Sequence, residues 1–322
     1  MPDFFYNKAG RLRSGWRLAI FTAALLALSM ALVLSVNFAL ARALSRDAYD
    51  LMFAEGGWGF VLQSFVTFIP AALAAWGCGY VLEDLPWRAL GWAPHRGWLR
   101  DALVGLLVGG AAVSVAALVG AAVGGYRIEF AASVAGDLAQ TLAASGFIFL
   151  LGAAAEEMLF RGYPLQTLMR SWPIAPALVF SSVTFGLVHM QNPNVVPGFT
   201  LVNTALAGAW LAVAYWRTRS LWFPLGLHFG WNWVQGALLG SPVSGITRIT
   251  PHPLFKFSDA GPEWIGGGAY GIEGGAACTL AIILATLFVC RTRLLHATHE
   301  LRHYTDGENP NPEQTPVALR RE

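Results

Sequence analysis

Charge is what this chain has least of. Aspartate, glutamate, lysine and arginine make up 12% of its 322 residues, about half the ~25% of an ordinary soluble domain. That scarcity excludes a surface wetted on all sides. The net charge of +2 gives no reason to expect a nucleic-acid partner. Cysteine is scarce too: Cys78, Cys278 and Cys290 lie in or beside apolar runs with neither paired nor metal-ligand spacing, which excludes a disulfide framework and reads as core cysteine. No Gly-x-Ser-x-Gly is present, and the cysteines are remote from the polar groups described below, so a serine or cysteine nucleophile is not expected. No solenoid-type repeat is visible.

Apolar residues are abundant instead: 55% of the chain, with a mean hydropathy of +0.50. Long apolar runs at this charge density predict an all-α polytopic membrane protein. About eight spans emerge, roughly 17–41, 58–82, 99–123, 138–161, 173–190, 199–216, 221–239 and 275–292. Residues 1–305 read as one integral membrane domain enclosing an intramembrane cavity, with a catalytic core at 138–239; residues 306–322 read as a disordered cytoplasmic tail. The first run follows Lys8, Arg11, Arg13 and Arg17, and Ala39-Leu40-Ala41 mimics a cleavage site. The run from Leu18 to Ala41 is nonetheless too long for a signal-peptide core of about 7–15 residues, so a retained span is expected. With the N-terminus inside, 16 of the 21 basic residues fall in inside segments and five outside. The bias predicts both termini in the cytoplasm.

Three smaller features carry expectations. Trp87, Trp92 and Trp98, interleaved with charge in 83–98, read as an interfacial segment. Gly105/Gly109 and Gly120/Gly124 have the spacing that lets helices approach closely. The Gly/Pro-rich stretch 240–274 reads as an irregular lid or loop.

Against this background three polar groups stand out: Glu156-Glu157-Met158-Leu159-Phe160-Arg161, Phe185-Gly186-Leu187-Val188-His189, and His228-Phe229-Gly230-Trp231-Asn232. Ionisable residues at membrane depth are costly and mark sites. Adjacent glutamates point about 100° apart on a helix, so Glu156 and Glu157 serve different purposes. Glu157 and Arg161, four apart, are expected to form an ion pair, leaving Glu156 to face a cavity. His228 and Asn232 share a face, as do Phe185 and His189, where the ring would shape or dry the pocket. If the fourth span continues as helix to about Ser171, Glu156 lies 16 residues before Trp172 and His189 lies 16 after Pro173. An antiparallel hairpin then brings the two to one height. His228 lies seven residues into its span, about 11 Å deep, so Gln191-Asn192-Pro193-Asn194 would turn within the membrane thickness.

A carboxylate and two imidazoles around a wet pocket suit hydrolysis. Glu156 would act as general base assisted by His189, with His228 and Asn232 stabilising an oxyanion. Glu156, His189 and His228 would equally hold one divalent metal, such as zinc, with a position open for water; the spacing leaves the metal and metal-free routes both open. Asn232 also suits a helix–helix hydrogen bond.

The three groups resemble the Glu-Glu-x-x-x-Arg, Phe-x-x-x-His and His-x-x-x-Asn motifs of the CPBP family, the CAAX-protease and bacteriocin-processing (abortive-infection) intramembrane proteases. The resemblance covers residues 156–232, about a quarter of the chain, with the motifs in family order. It implies an intramembrane endopeptidase with Glu156, His189, His228 and Asn232 in the site. Its substrate would be a membrane-associated protein or peptide, prenylated CAAX proteins being those of eukaryotic relatives and bacteriocin maturation or immunity a role of bacterial ones. The family is labelled metalloprotease, and a metal-free glutamate mechanism is also proposed for it.

Two other readings use the same residues: a non-catalytic scaffold or immunity protein binding a peptide in the cavity, and a proton-coupled transporter, which lacks its usual pair of broken helices here. One rival motif, His299-Glu300-Leu301-Arg302-His303, matches His-Glu-x-x-His, with His296 one turn earlier. It follows the last span, where nothing builds a cleft, and reads as a basic amphipathic extension at the membrane surface.

Overall fold

Every apolar run forms a helix. The computed structural model describes residues 4–7, 10–54, 57–131, 134–196 and 198–305; Lys8 and the tail expected over 306–322 lie outside them. The helices are α1 (Ser14–Ala43), α2 (Arg46–Ala54), α3 (Gly57–Glu83), α4 (Trp98–Ala122), α5 (Ala135–Arg161), α6 (Tyr163–Ser171), α7 (Ile174–His189), α8 (Phe199–Thr218), α9 (Trp222–Trp233), α10 (Glu263–Gly266), α11 (Ala276–Arg291) and α12 (His299–Thr305). Strands β1 (Tyr126–Phe130) and β2 (Phe255–Asp259) pair antiparallel, Ile128 opposite Phe257.

The protein is an all-α polytopic membrane protein. Five helices are long and apolar enough to cross a bilayer: α1, α3, α4, α5 running on into α6, and α8. The other three expected spans are short of ~20 residues: α7 and α11 have 16 each and α9 has 12, prolonged by a π-type turn at Val234–Leu238. Exposure argues for lipid rather than water. Only 6% of the most apolar stretch of α1 is buried, and Leu26, Met30, Leu34 and Phe38 stand clear of the protein. Leu103, Leu107 and Leu118 of α4 do the same. Water would penalise so much contiguous apolar surface; lipid does not.

The seam between α4 and α9 sets the position of the site. Gly105 and Gly109 lie against the backbone of Phe223–Leu227, while Gly226 and Gly230 lie against Ala102 and Leu106. A Cβ at Gly109, Gly226 or Gly230 would run into a carbonyl oxygen of the facing helix. Four glycines thus let two backbones touch, as the first glycine pair predicts. The second pair does something else. Gly120 makes room for the Tyr126 ring, and Gly124, with φ +76°, turns the chain into β1.

Three further expectations change. The fourth span is not continuous to Ser171: it breaks at Gly162, whose ψ is −132°, and α6 starts afresh with Pro164 in its first turn. Proline lacks the N–H that an unbroken helix would need there and crowds the preceding turn. The segment after α3 is only partly an interfacial anchor. Trp87 is exposed, but Trp92 and Trp98 turn inward onto Trp222, at centroid distances of 5.4 and 4.4 Å. The backbone N–H of Leu221 donates to Gly91 at 3.0 Å, so this segment supports the start of α9. Stretch 240–274 holds β2, α10 and two short 3-10 turns, Gly268–Tyr270 and Ile272–Gly274.

A buried ionic clamp and an arginine capping a helix end tie the remaining helices. Glu83 accepts from Arg170 Nε at 2.5 Å and Thr167 Oγ1 at 2.7 Å and pairs with Arg17 at 3.3 Å, joining α1, α3 and α6. Arg17, which the charge count treats as a loop residue, is fully buried. Arg217 at the end of α8 donates to the carbonyls of Val289, Cys290, Thr292 and Leu295. It therefore supplies partners for the carbonyls that a helix end leaves bare.

Candidate active site

Helix α5 delivers Glu156 and Glu157 to opposite surroundings, as their 100° offset requires. Glu157 is fully buried and pairs with Arg161, Oε1 to Nη1 at 3.2 Å. The same Oε1 accepts from His228 Nδ1 at 2.9 Å. Arg161 also donates from Nη2 to the Gly208 carbonyl at 3.1 Å and lies over the Phe185 ring, 4.4 Å from its centroid. Phe185 meets the His189 ring on its other contacts, with centroids 4.2 Å apart. Its role thus includes a cation–π contact besides shaping the pocket.

Glu156 is about one-third exposed and reaches both imidazoles: His189 Nε2 and His228 Nε2 each lie 3.7 Å from its Oε2. The chain brings these three groups together although the helix carrying Glu156 is broken at Gly162. In each imidazole Nδ1 is committed: that of His189 donates to the Phe185 carbonyl at 2.8 Å, and that of His228 to Glu157. The hydrogen-bond network thereby assigns the tautomers, leaving both Nε2 lone pairs facing Glu156 in the neutral rings. A distance of 3.7 Å is too long for a direct hydrogen bond and suits a bridging atom. Glu156 Oε2 is itself buried without a hydrogen-bond partner among the described residues.

Three acceptor atoms converging on one point fit a zinc-type cation in kind, and each imidazole is held from behind by an acceptor, as metal-binding histidines are. As arranged, no group of three or more His, Cys, Asp or Glu among the described residues is gathered closely enough to hold a metal ion.

Asn232, one turn beyond His228, lines the same cleft. The cleft has a volume of about 260 Å³ and is walled by Gln63 of α3, Phe149 of α5, Val188 of α7 and Ile246 of the following loop. Next to it is a smaller cavity of about 40 Å³, with His189, His228, Asn232 and Ser244 common to both.

That cavity holds a residue outside the three groups. Glu273, in the turn before α11, accepts from Trp231 Nε1 at 3.2 Å, from the Ser244 N–H at 2.5 Å and from Ser244 Oγ at 3.1 Å. Burial pushes its carboxyl above the ordinary carboxylate range, opposed by the Ser244 donors and the nearby His189. The signal for it in the sequence is slight: one carboxylate between glycines, Gly271-Ile272-Glu273-Gly274, just ahead of an apolar run.

The His-Glu-x-x-His stretch lies elsewhere. Helix α12 rests on α6 and on the Trp87–Leu90 turn, with Leu301 buried and Glu300 paired to Arg88 at 3.3 Å. His299 and His303 are exposed.

Residues 138–234, running from the fourth residue of α5 to just past α9, match the family model described as type II CAAX prenyl endopeptidase Rce1-like. This is a protease family, and the match agrees with the CPBP resemblance. Comparison with curated proteins and with solved structures finds no match.

Proposed function

We propose that the protein is an intramembrane endopeptidase that hydrolyses a peptide bond of a membrane-associated protein or peptide, of CAAX type or bacteriocin-related. One observation carries the reading: a part-exposed carboxylate, Glu156, 3.7 Å from two imidazole Nε2 atoms at the wall of an open cleft. A water between these atoms gives its proton to Glu156 as its oxygen attacks the scissile carbonyl. The Nε2 lone pair of His189 accepts the water's second hydrogen and holds it for attack. The Asn232 amide donates to the oxyanion that forms; His228 joins it as a donor only when doubly protonated, because its Nδ1–H is committed to Glu157. Glu156 then passes its proton to the departing amine, and the C–N bond breaks. Glu157, Arg161 and Phe185 keep the histidines in place.

Glu156, His189 and His228 are the residues that would hold a divalent metal such as zinc, which when bound supplies Lewis-acid activation of water and carbonyl. The bilayer is the partner of the exposed apolar faces, and the arginine distribution supports cytoplasmic termini.

The test is cleavage of a membrane-bound reporter by purified protein. Glu156→Ala should abolish cleavage while the protein still inserts and elutes as wild type. Retained cleavage removes Glu156 from the mechanism. A phenotype that survives Glu156→Gln, with no cleavage by the wild type, identifies a binding protein instead.

A further inference from the structure

Glu156 lines the open cleft and not the 40 Å³ chamber; Glu273 lines the chamber and not the cleft. His189 and His228 stand between them as a shared wall. The chamber thus borders the catalytic histidines on a side that Glu156 does not line.

Its size and lining suit water. A water needs roughly 10–15 Å³ and two to four polar partners, so about 40 Å³ accommodates at least one. Chambers that stay dry are apolar; this one presents the Glu273 carboxylate, the Asn232 amide and the Thr204 hydroxyl. Thr204 Oγ1 donates to the Thr200 carbonyl at 2.6 Å, leaving its lone pairs for a further donor. Trp210 gives the independent sign. It is 2% exposed and lines the chamber, and its Nε1–H has no hydrogen-bond partner among the described residues. A buried donor left unpaired costs about 1–3 kcal/mol, a cost that a water in the chamber Trp210 lines would remove.

Glu273 is held firmly enough to define such a site. Asn203 Nδ2 on α8 donates to the Glu273 carbonyl at 2.8 Å and to that of Gly275 at 2.9 Å. Asn203 Oδ1 in turn accepts from Thr279 at 2.6 Å. Three donors fix the carboxylate itself. Holding the loop to α9 would explain the Trp231 and Ser244 contacts, but not a polar chamber or an unpaired indole.

We propose that this chamber is a water-holding site that resupplies the hydrolytic water, with Glu273 as the positioning residue that gives it its shape and polarity. The proposal rests on the hydrolytic reading: each peptide bond cut consumes one water, and a substrate seated in the cleft closes the other route by which a replacement could arrive.

The experiment fills the chamber without touching the catalytic groups. Ala207→Val adds two methyl groups to its wall, and Thr204→Val removes its hydroxyl at nearly constant volume. The expected result is a fall in kcat of tenfold or more with KM unchanged in each, and a like fall in Glu273→Gln. Wild-type kcat in Ala207→Val, or a rise in KM alone, overturns the proposal; if that variant misfolds, Thr204→Val decides by the same criterion. An experimental structure with ordered solvent gives the readout independent of turnover. Water bound between Glu273 and the histidines supports the proposal, and a dry chamber refutes it. A wild type that cleaves no reporter but holds this water sinks the protease reading and leaves a water site; active protein with a dry chamber sinks only the present proposal.

Discussion

Replacing Arg161 by methionine tests whether the Glu157 carboxylate holds the site together or is merely tolerated in it. Arg161 and Glu157 are both fully buried, 3.2 Å apart, and the arginine also binds the Gly208 carbonyl and lies over Phe185. Removing one member of a buried pair strands the other, at about 3–5 kcal/mol. Arg161→Met should therefore lose that much stability. Glu157→Leu alone should lose a similar amount, because the guanidinium is then stranded. The double variant removes both charges, and apolar replacements of a buried pair are often neutral or better. It should recover to within about 2 kcal/mol of wild type. Activity should not recover with it. His228 Nδ1 loses its acceptor, 2.9 Å away, and loss of such a supporting partner costs about 10- to 100-fold. Denaturant unfolding in detergent measures the stability cycle, and reporter cleavage measures the other half. A double variant as unstable as either single one would refute the coupling. A double variant with full cleavage would show that Glu157 does not position His228.

Gly230→Val should destabilise by about 1–3 kcal/mol and lower kcat, since the new Cβ meets the Leu106 carbonyl and displaces the helix bearing His228 and Asn232; unfolding and turnover report the two effects. Glu273 should impose a pH dependence on stability. Its folded carboxyl is raised by burial, so its contribution is full below the ordinary carboxylate pKa of about 4.3 and is lost as pH rises through the folded value. Stability against unfolding should fall with rising pH along that window in wild type and be flatter in Glu273→Gln; parallel curves would contradict the burial argument. His299→Ala and His303→Ala should leave cleavage unchanged, and Arg88→Ala should cost at most about 1 kcal/mol because its pair with Glu300 is 40% and 46% exposed; lost cleavage in either histidine variant would reopen the rival motif.

Each of the three polar groups at the site is local in sequence, and for that reason each is legible there. A carboxylate that faces a cavity, its neighbour that pairs with an arginine one turn on, and a histidine sharing a face with a phenylalanine all follow from the 3.6-residue period. The convergence of Glu156 with His189 follows from counting back from a turn, although the count presumes a helix that Gly162 and Pro164 interrupt. What depends on rotation between helices is not legible. That His228 shares a carboxylate oxygen with Arg161 requires the azimuth of α9 relative to α5, which no spacing encodes. Glycine pairs are ambiguous for the same reason: Gly105/Gly109 and Gly120/Gly124 read alike, yet one makes a helix seam and the other makes room for a tyrosine and turns the chain. Trp92 and Trp98 look like Trp87 until α9 is present for them to stack on. Glu273 reaches the site across some forty residues from Asn232, a stretch of short turns, one strand and one helical turn with no sustained period to read.

Consider again the contact of α4 with α9. No side chain separates the two backbones there, so the height of His228 and Asn232 is gauged by peptide groups, which do not swap rotamers or change length. The seam works as a ruler. Side chains elsewhere in the protein are free to vary with the lipid they meet, while the height of His228 and Asn232 against α4 stays fixed to a fraction of a helical turn.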